Sequence, residues 1–199
     1  MEWDGPGGRY FLALHPEVYR PAEDTFLLAR AVHQALRPGQ AFLEVGCGAG
    51  LVSLVAARAG AQVTATDLNP HAVELLQHNA RQNGLRVRAI QTDLLGGVAG
   101  PFDVVAFNPP YLPTTPQEYI PGPLNLAFDG GPDGNATVLR FAHQVAALRP
   151  PPATVLVVHS SLSDPAPLER ALAAAGYRCT VALQEAHFFE RLTVRAFTR

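Results

Sequence analysis

The feature that most constrains the fold is a regular alternation of short β-rich runs with longer helical stretches from residue 41 onward. Three of these helical stretches stop at a glycine, at Gly60, Gly84 and Gly176, which is a common helix terminator. Parallel strands are usually joined by a crossover helix, so the alternation predicts a parallel sheet with helices on both faces. The predicted strands are residues 41–45, 62–66, 86–91, 102–107, 154–159, 178–183 and 188–197, and the predicted helices after residue 41 are 51–59, 70–84, 136–148 and 166–175.

The last two β-rich runs, 178–183 and 188–197, are too close together for a crossover helix, so they must pair antiparallel. Five parallel strands and this hairpin give a seven-stranded, Rossmann-like α/β sheet with one reversed strand. Before it, residues 21–36 have the pattern of an amphipathic helix. We expect a single domain, in which residues 1–40 form an N-terminal lid segment over the top of the sheet and 41–199 form the Rossmann-like core.

Composition narrows the class of protein. The 199 residues are 48% hydrophobic and 16% charged, which is typical of a compact globular chain. No apolar run approaches the ~20 residues of a membrane helix, and the first residues lack the pattern of a signal peptide, so we predict a cytoplasmic protein. The net charge of −2 disfavours a nucleic-acid partner without excluding one. Two distant cysteines and seven histidines without ligand spacing predict no metal site.

A glycine-rich turn follows the first predicted strand, at residues 44–50. Open α/β sheets bind ligands at the carboxyl ends of their strands, and glycines allow the backbone to approach a ligand closely. A dinucleotide fingerprint would require a glycine where Leu51 stands. The carboxylate of Glu44 would repel a pyrophosphate, but it suits a cationic ligand. S-adenosylmethionine carries an ammonium and a sulfonium, so we predict that Glu44, Gly46 and Gly48 bind this cofactor.

Acidic residues follow the next two strands. Asp67 can accept hydrogen bonds from both hydroxyls of a ribose, although a helix-capping or turn aspartate would fit the same pattern. Asp93 can accept from an adenine amine, and the backbone of Leu94 can complete that contact. Asp67 therefore indicates a nucleoside, while the Asp93 pattern is weak taken alone.

The run Asn108, Pro109, Pro110 and Tyr111 follows the fourth strand. An amide nitrogen is a poor nucleophile, since its lone pair is delocalised. The Asn108 side-chain oxygen and the Pro109 carbonyl can each accept one proton of an NH2 group and direct its lone pair at a sulfonium methyl. This is catalysis by positioning and preorganised dipoles, on a turn that the prolines make rigid. Tyr111 offers a ring face to a planar acceptor. The alternative interpretation is a proline turn without a catalytic role.

With these motifs in place, the chain resembles the HemK-type protein-(glutamine-N5) methyltransferases, class I enzymes that modify the Gly-Gly-Gln loop of peptide release factors. The resemblance covers nearly the whole chain, and residues 18–28 resemble the short branch found in eukaryotes and archaea, as does the segment 127–134. It implies that Tyr19 and Thr25 contact the cofactor, although from the residues alone both could equally be packing at a helix start. The resemblance assigns the same role to Glu44, Gly46, Asp67, Asp93, Leu94 and Asn108.

The resemblance also bears on partners. Bacterial members carry a separate helical N-terminal domain that holds the release factor, and the segment before the first strand has no room for one. The short branch resembles proteins that need a small zinc-binding activator subunit. We therefore expect a protein substrate, in particular a peptide release factor, and an activator of this kind.

Three alternatives remain open. Enzymes that methylate an exocyclic amine of adenine or guanine in RNA or DNA use the same turn, but here the loop 112–133 carries Glu118, Asp129 and Asp133 and no basic residue. That charge disfavours a phosphate backbone. Asn108 and the cofactor acids argue against a non-catalytic cofactor-binding subunit. Leu51 argues against a nicotinamide dehydrogenase.

Overall fold

The structure is a computed structural model that describes residues 1–114 and 122–199, so Glu118 lies outside the described residues. Its elements follow the chain in this order: β1 (Glu2–Gly5), β2 (Gly8–Phe11), α1 (Glu23–Ala35), β3 (Ala41–Val45), α2 (Leu51–Arg58), β4 (Gln62–Asp67), α3 (Pro70–Gln82), β5 (Arg88–Gln91), β6 (Val104–Phe107), a 3-10 helix (Pro123–Ala127), α4 (Ala136–Ala147), β7 (Thr154–Ser160), α5 (Ala166–Ala174), β8 (Arg178–Ala186) and β9 (Arg191–Thr198).

The large sheet has seven strands in the order β5-β4-β3-β6-β7-β9-β8. The pairings among the first five are parallel, and β9 is antiparallel to both β7 and β8. The predicted fold class is therefore confirmed: β9 is the reversed strand, and β8 runs in the same direction as the five parallel strands. It follows that the turn between β8 and β9 lies at the same edge as the carboxyl ends of those strands.

Helices cover both faces of this sheet. Alternate strand residues pack on opposite sides, so Phe42 belongs to one buried cluster and Leu43 to another. The first cluster contains residues of α1 and α2, and the second contains residues of α4 and α5. Both faces of the sheet are covered, and the four residues of the central strand β6 are accordingly all apolar and buried. No helix in the described parts of the chain is long and apolar enough to span a membrane.

The N-terminal segment contains a hairpin that the sequence analysis did not find. β1 and β2 pair antiparallel as a separate two-stranded sheet. Trp3 stacks on Phe26 with ring centroids 5.4 Å apart, and Tyr10 is completely buried beneath the Arg58 guanidinium, 4.1 Å from its ring centroid. The hairpin thus packs against the helical face of the core. Its strands have four residues each, too few for a clear alternating pattern.

The predicted helix 21–36 forms as α1, and it packs against α2 and against the strands β6, β7, β8 and β9. Its buried residues include Leu27, Leu28 and Val32. α1 is therefore a helix of the sheet face and does not cover the top of the sheet. The part of the segment that reaches the carboxyl edge is residues 17–25, which include the loop before α1 and its first turn.

Candidate functional site

A cleft of about 410 Å³ opens at the carboxyl edge of β3, β4 and β6. The residues 17–25 and the 3-10 helix form its walls opposite the strand ends. All the site residues predicted from the sequence line this one cleft: Tyr19, Thr25, Glu44, Gly46, Gly48, Asp67, Asp93, Leu94, Asn108, Pro109, Pro110 and Tyr111. They converge because parallel strands end at a common edge, where open α/β sheets hold their ligands.

The glycine turn after β3 has a shape that only glycine adopts easily. Gly46, Gly48 and Gly50 have φ values of 66°, 51° and 88°, in the left-handed region. A Cβ on Gly50 would lie 2.3 Å from Leu76 Cδ1. The Asp67 carboxylate accepts a hydrogen bond from the Gly48 backbone N–H at 2.9 Å, which joins this turn to the end of β4. The protein thus holds the turn in place without help from a ligand.

Glu44 is a buried carboxyl at the floor of the cleft, with 4% of its surface exposed. Among the described residues, its side-chain hydrogen-bond partner is the Ser53 hydroxyl, which donates to it. Burial is the main cause that raises the pKa of Glu44 to about 8; the hydrogen bonds from Ser53 oppose this shift and the nearby charge of Asp67 adds to it. Within the described residues no ion pair involves Glu44. A cation entering the cleft would therefore stabilise its ionised form.

Asp67 has a structural role besides the predicted one. Its second oxygen accepts from the Asn69 backbone N–H at 2.9 Å, and burial raises the pKa of its carboxyl. The residue that caps α3 is Asn69, whose side chain accepts from the His71 N–H at 3.0 Å. The capping alternative for Asp67 is therefore wrong, and the aspartate fixes the turn while lining the cleft.

At the far end of the cleft, the Asp93 carboxylate forms an ion pair with Arg140 of α4. The sequence analysis did not select Arg140, because it lies 47 residues further along the chain. Leu94 is buried and has a φ of 51°, the one positive value among the described non-glycine residues. Such strained backbone often marks a ligand site. Arg140 contacts one oxygen of Asp93, so the other oxygen and the backbone at Leu94 are both available to a ligand at this end.

Asp24 joins the predicted residues from the N-terminal segment to those from β6. This carboxylate is 4% exposed and lines the cleft, but the sequence analysis did not select it. It accepts hydrogen bonds from the Tyr19 hydroxyl at 3.2 Å, from the Thr25 hydroxyl at 3.1 Å and from the Thr25 N–H at 2.6 Å. It also accepts from Asn108 Nδ2 at 3.0 Å and from the Tyr111 hydroxyl at 3.3 Å. In the sequence, Asp24 resembles an ordinary acidic residue in the first turn of a helix.

The contact with Asp24 sets the orientation of the Asn108 amide. Only Nδ2 can donate to a carboxylate, so Oδ1 must point the other way. Asn108 Oδ1 is buried and has no hydrogen-bond partner. A buried carbonyl oxygen without a donor is uncommon and calls for an explanation. An NH2 group in the cleft would supply that donor.

Burial also affects the two tyrosines at Asp24. It raises the pKa of Tyr19 and of Tyr111 well above the usual range, and the Asp24 charge adds to both shifts. Both hydroxyls therefore remain protonated donors to Asp24 at any physiological pH. The Tyr19 ring also meets Phe128 edge-on, with centroids 5.7 Å apart.

A second group of glycines supports the Asn-Pro-Pro-Tyr turn from behind. A Cβ on Gly134 would lie 2.4 Å from the Tyr111 carbonyl oxygen, and one on Gly130 would lie 2.9 Å from that of Pro110. The Gly130 N–H donates to the Leu112 carbonyl at 3.1 Å. The segment 127–134 thus packs directly on the backbone of this turn, which no larger residue would allow.

One group of described residues has the composition of a metal site, although none was predicted. Ligand atoms of His15, Glu17 and His71 lie within 4.8 Å of one another, and His71 Nε2 is 3.0 Å from Glu17 Oε2. The two imidazole rings stack with centroids 4.6 Å apart and planes 18° apart. Lone pairs in nearly parallel planes do not converge on one point, so a metal would require one ring to rotate. We interpret the group as a stacked pair with a Glu17 contact.

Comparison with known proteins agrees with this geometry. The family model described as the methyltransferase small domain matches residues 21–119. A Methanocaldococcus jannaschii protein named as a candidate protein N5-glutamine methyltransferase is 38% identical over 184 residues, 92% of this chain and 92% of that protein. Human methyltransferase HEMK2 is 34% identical over 193 residues, 92% of this chain and 90% of that protein.

Among solved structures, the E. cuniculi Mtq2-Trm112 complex, responsible for methylation of the translation termination factor eRF1, is similar to this fold. The match has a TM-score of 0.74 at 24% identity and covers 92% of this chain and 99% of that chain.

Cofactor binding is expected to weaken as the pH falls below about 8. The pKa of about 8 leaves Glu44 mostly protonated at lower pH, and a cationic ligand needs the ionised form, so binding must release a proton. If each cofactor molecule that binds displaces one proton from Glu44, the affinity falls by up to ~10-fold for each unit by which the pH is lowered. Calorimetric titration with the demethylated cofactor between pH 6 and pH 8 measures this. Glu44→Gln should bind weakly at all these values, whereas equal wild-type affinity at both ends would contradict the assignment.

Asp24→Asn is expected to lower kcat more than it changes the cofactor Kd. The new side chain has one acceptor oxygen instead of two, so the Asn108 amide is no longer held in one orientation. We expect a loss of ~10- to 100-fold in kcat, comparable to loss of one preorganised polar group. Glu23→Gln is the matched control, since it removes the same charge from the exposed neighbouring residue. Equal turnover in the two variants would show that Asp24 does not position Asn108.

Proposed function

The chain belongs to the HemK-type protein N5-glutamine methyltransferases and uses S-adenosylmethionine, and we propose that its acceptor is the glutamine of the Gly-Gly-Gln loop in a peptide release factor. The observation that carries this proposal is the buried, partnerless Oδ1 of Asn108 in the cleft. A primary amide has an NH2 group, which can donate the hydrogen bond that this oxygen lacks. The relatives' names support a protein acceptor.

In this proposal the cleft residues activate the amide by orientation. Asn108 Oδ1 and the Pro109 carbonyl each accept one N–H, so that the nitrogen lone pair faces the methyl group that S-adenosylmethionine supplies. The N–CH3 bond forms as the S–CH3 bond breaks, and the bonding pair stays on sulfur. The alkylated nitrogen is acidic and loses its proton to water, so the site needs no strong base. Asp24 and the prolines keep the two acceptor oxygens in place throughout.

The remaining predicted residues fit the cofactor, and we propose the following roles. Glu44 stabilises the cationic methionine end of the cofactor, where its uncompensated buried carboxyl suits an ammonium. The backbone of Gly46 and Gly48 allows close approach, and Asp67 accepts from the ribose hydroxyls. Leu94 and the neighbouring Asp93 border the adenine. Tyr19 and Thr25, both bonded to Asp24, close the methionine end.

The sequence predicts a lid within residues 1–40. We propose that residues 17–25 form this lid, within a single methyltransferase domain. The Glu17 carbonyl accepts from Asn69 Nδ2 at 2.7 Å, beside the ribose-binding Asp67. At its other end the segment is fastened by the hydrogen bonds that Asn108 and Tyr111 donate to Asp24. These attachments place the stretch across the cleft from the strand ends, where it can cover a bound cofactor.

A small zinc-binding activator subunit is the second proposed partner. The similar E. cuniculi protein was solved as a complex with Trm112, which supports the presence of a partner subunit. A cytoplasmic location remains a prediction. Methylation of a nucleic-acid amine is the alternative, and no contact in the described residues favours it over the protein acceptor. The acceptor experiment below distinguishes the two.

Asp67→Ala is expected to weaken cofactor binding, while Asn108→Ala mainly slows methyl transfer. Asp67 contacts the ribose in the ground state and the transition state alike, whereas Asn108 chiefly orients the acceptor. The loss of this acceptor oxygen should cost ~100-fold in kcat. Calorimetry gives Kd and initial rates give kcat, and each variant is the control for the other. Wild-type turnover in Asn108→Ala would refute its assignment.

The purified protein is expected to add one methyl group to the glutamine of the release-factor Gly-Gly-Gln loop. Glycines beside the glutamine keep the backbone slim enough to enter the cleft. Mass spectrometry of the loop peptide measures the product, with a Gln→Ala release factor as the control and with reactions run with and without a candidate activator. Labelling of RNA or DNA while protein and peptide stay unmodified would establish the alternative function.

A further inference from the structure

Two adjacent phenylalanines project from the turn between β8 and β9. Phe188 is 91% exposed and Phe189 is 86% exposed, and their rings meet edge-on with centroids 4.7 Å apart. Single exposed apolar residues are ordinary, but a pair of almost fully exposed aromatic rings marks a contact surface. The turn itself is closed by the His187 N–H, which donates to the Glu190 carbonyl at 2.7 Å.

This turn lies beside the catalytic cleft. β8 runs with the parallel strands, so its carboxyl end reaches the edge at which the cleft opens. Glu190, which follows Phe189, lines the cleft and accepts a hydrogen bond from the Ser160 hydroxyl at the end of β7. Ser161 and Arg191 exchange two further hydrogen bonds of 3.0 Å. The base of the turn is therefore anchored while the two rings remain free.

Other exposed apolar side chains lie at the same edge. Leu112 and Leu126 line the cleft and are 37% and 44% exposed, and Leu162, just after β7, is 52% exposed. Of the nine large hydrophobic residues exposed in the described ranges, six are at this edge: Leu68, Leu112, Leu126, Leu162, Phe188 and Phe189. We call these six residues the apolar rim. Three of them, Leu68, Leu112 and Leu126, line the cleft that holds the proposed site for the acceptor glutamine.

We propose that Phe188 and Phe189 anchor the folded body of the protein whose glutamine enters the cleft. This inference rests on the proposed function. A glutamine can reach Asn108 only from a protruding loop, so the body behind that loop must come down on the carboxyl edge. Aromatic side chains at the centre of such contacts commonly contribute most of the binding energy. A second copy on the same rim would cover the cleft mouth and exclude the acceptor.

The test compares a folded substrate with a short one. The double variant Phe188→Ser and Phe189→Ser is assayed on intact release factor and on a free peptide containing Gly-Gly-Gln. The KM for intact release factor should rise ~10-fold or more, as for loss of an interface anchor, while kcat/KM for the peptide stays at its wild-type value. Val181→Ser is the matched control, because Val181 is a 54% exposed apolar residue of β8 outside the rim. It should leave both substrates unaffected.

The outcomes separate this inference from the function on which it rests. If the wild type methylates neither substrate in the presence of the candidate activator, the proposed function is wrong and the docking inference falls with it. If the wild type methylates both and the double variant equals it, the docking inference alone is overturned. An equal loss of kcat/KM on both substrates overturns it too. So does a loss of activity that excess activator reverses, because the two phenylalanines would then bind the activator. If the wild type sediments as a dimer and the double variant as a monomer, the two phenylalanines serve self-association instead.

Discussion

The buried carboxylate of Asp24 holds together the parts of the chain that form the catalytic side of the cleft. Its oxygens accept hydrogen bonds from the loop before α1, from the start of α1 and from the turn after β6. A carboxylate buried away from water is tolerated only when its lone pairs are satisfied, so these contacts are required by the fold. Because the Asn108 amide donates to Asp24 through Nδ2, its Oδ1 points away from that carboxylate and is buried without a hydrogen-bond partner. Asn108 lines the cleft, and we propose that its unpaired oxygen is the group that accepts a hydrogen bond from the acceptor amide.

The topology of the sheet decides where chemistry and recognition meet. Five parallel strands end at one edge, and the reversal of β9 returns the chain so that β8 also ends there. The glycine turn, the Asn-Pro-Pro-Tyr turn and the β8–β9 turn therefore share an edge, although they come from distant parts of the sequence. Glycines at 130 and 134 allow the backbone of one loop to approach another to within van der Waals distance. The same edge consequently carries a buried polar site and an exposed apolar rim.

Agreement between sequence and structure is closest where the signal is local. Strand and helix positions follow from periodicity and from glycine signals, and the predicted hairpin forms between β8 and β9. The N-terminal hairpin was missed because strands of four residues are too short to show a period. The position of α1 could not be found from its amphipathic pattern, since such a pattern shows that a face is buried but not against what. The packing of α1 beside α2 depends on both helices together.

The sequence by itself determined the fold class and the cleft residues that follow the strands, because strand ends can be located from local pattern and the ends of parallel strands share an edge. Only the tertiary structure decided how those residues are paired. Asp24 contacts Asn108 across 84 residues, Arg140 meets Asp93 across 47, and the pKa of Glu44 rises because the surrounding chain removes it from water. Hydrogen bonds, ion pairs and desolvation depend on distances in space, and a sequence pattern carries no information about those distances until the chain is folded.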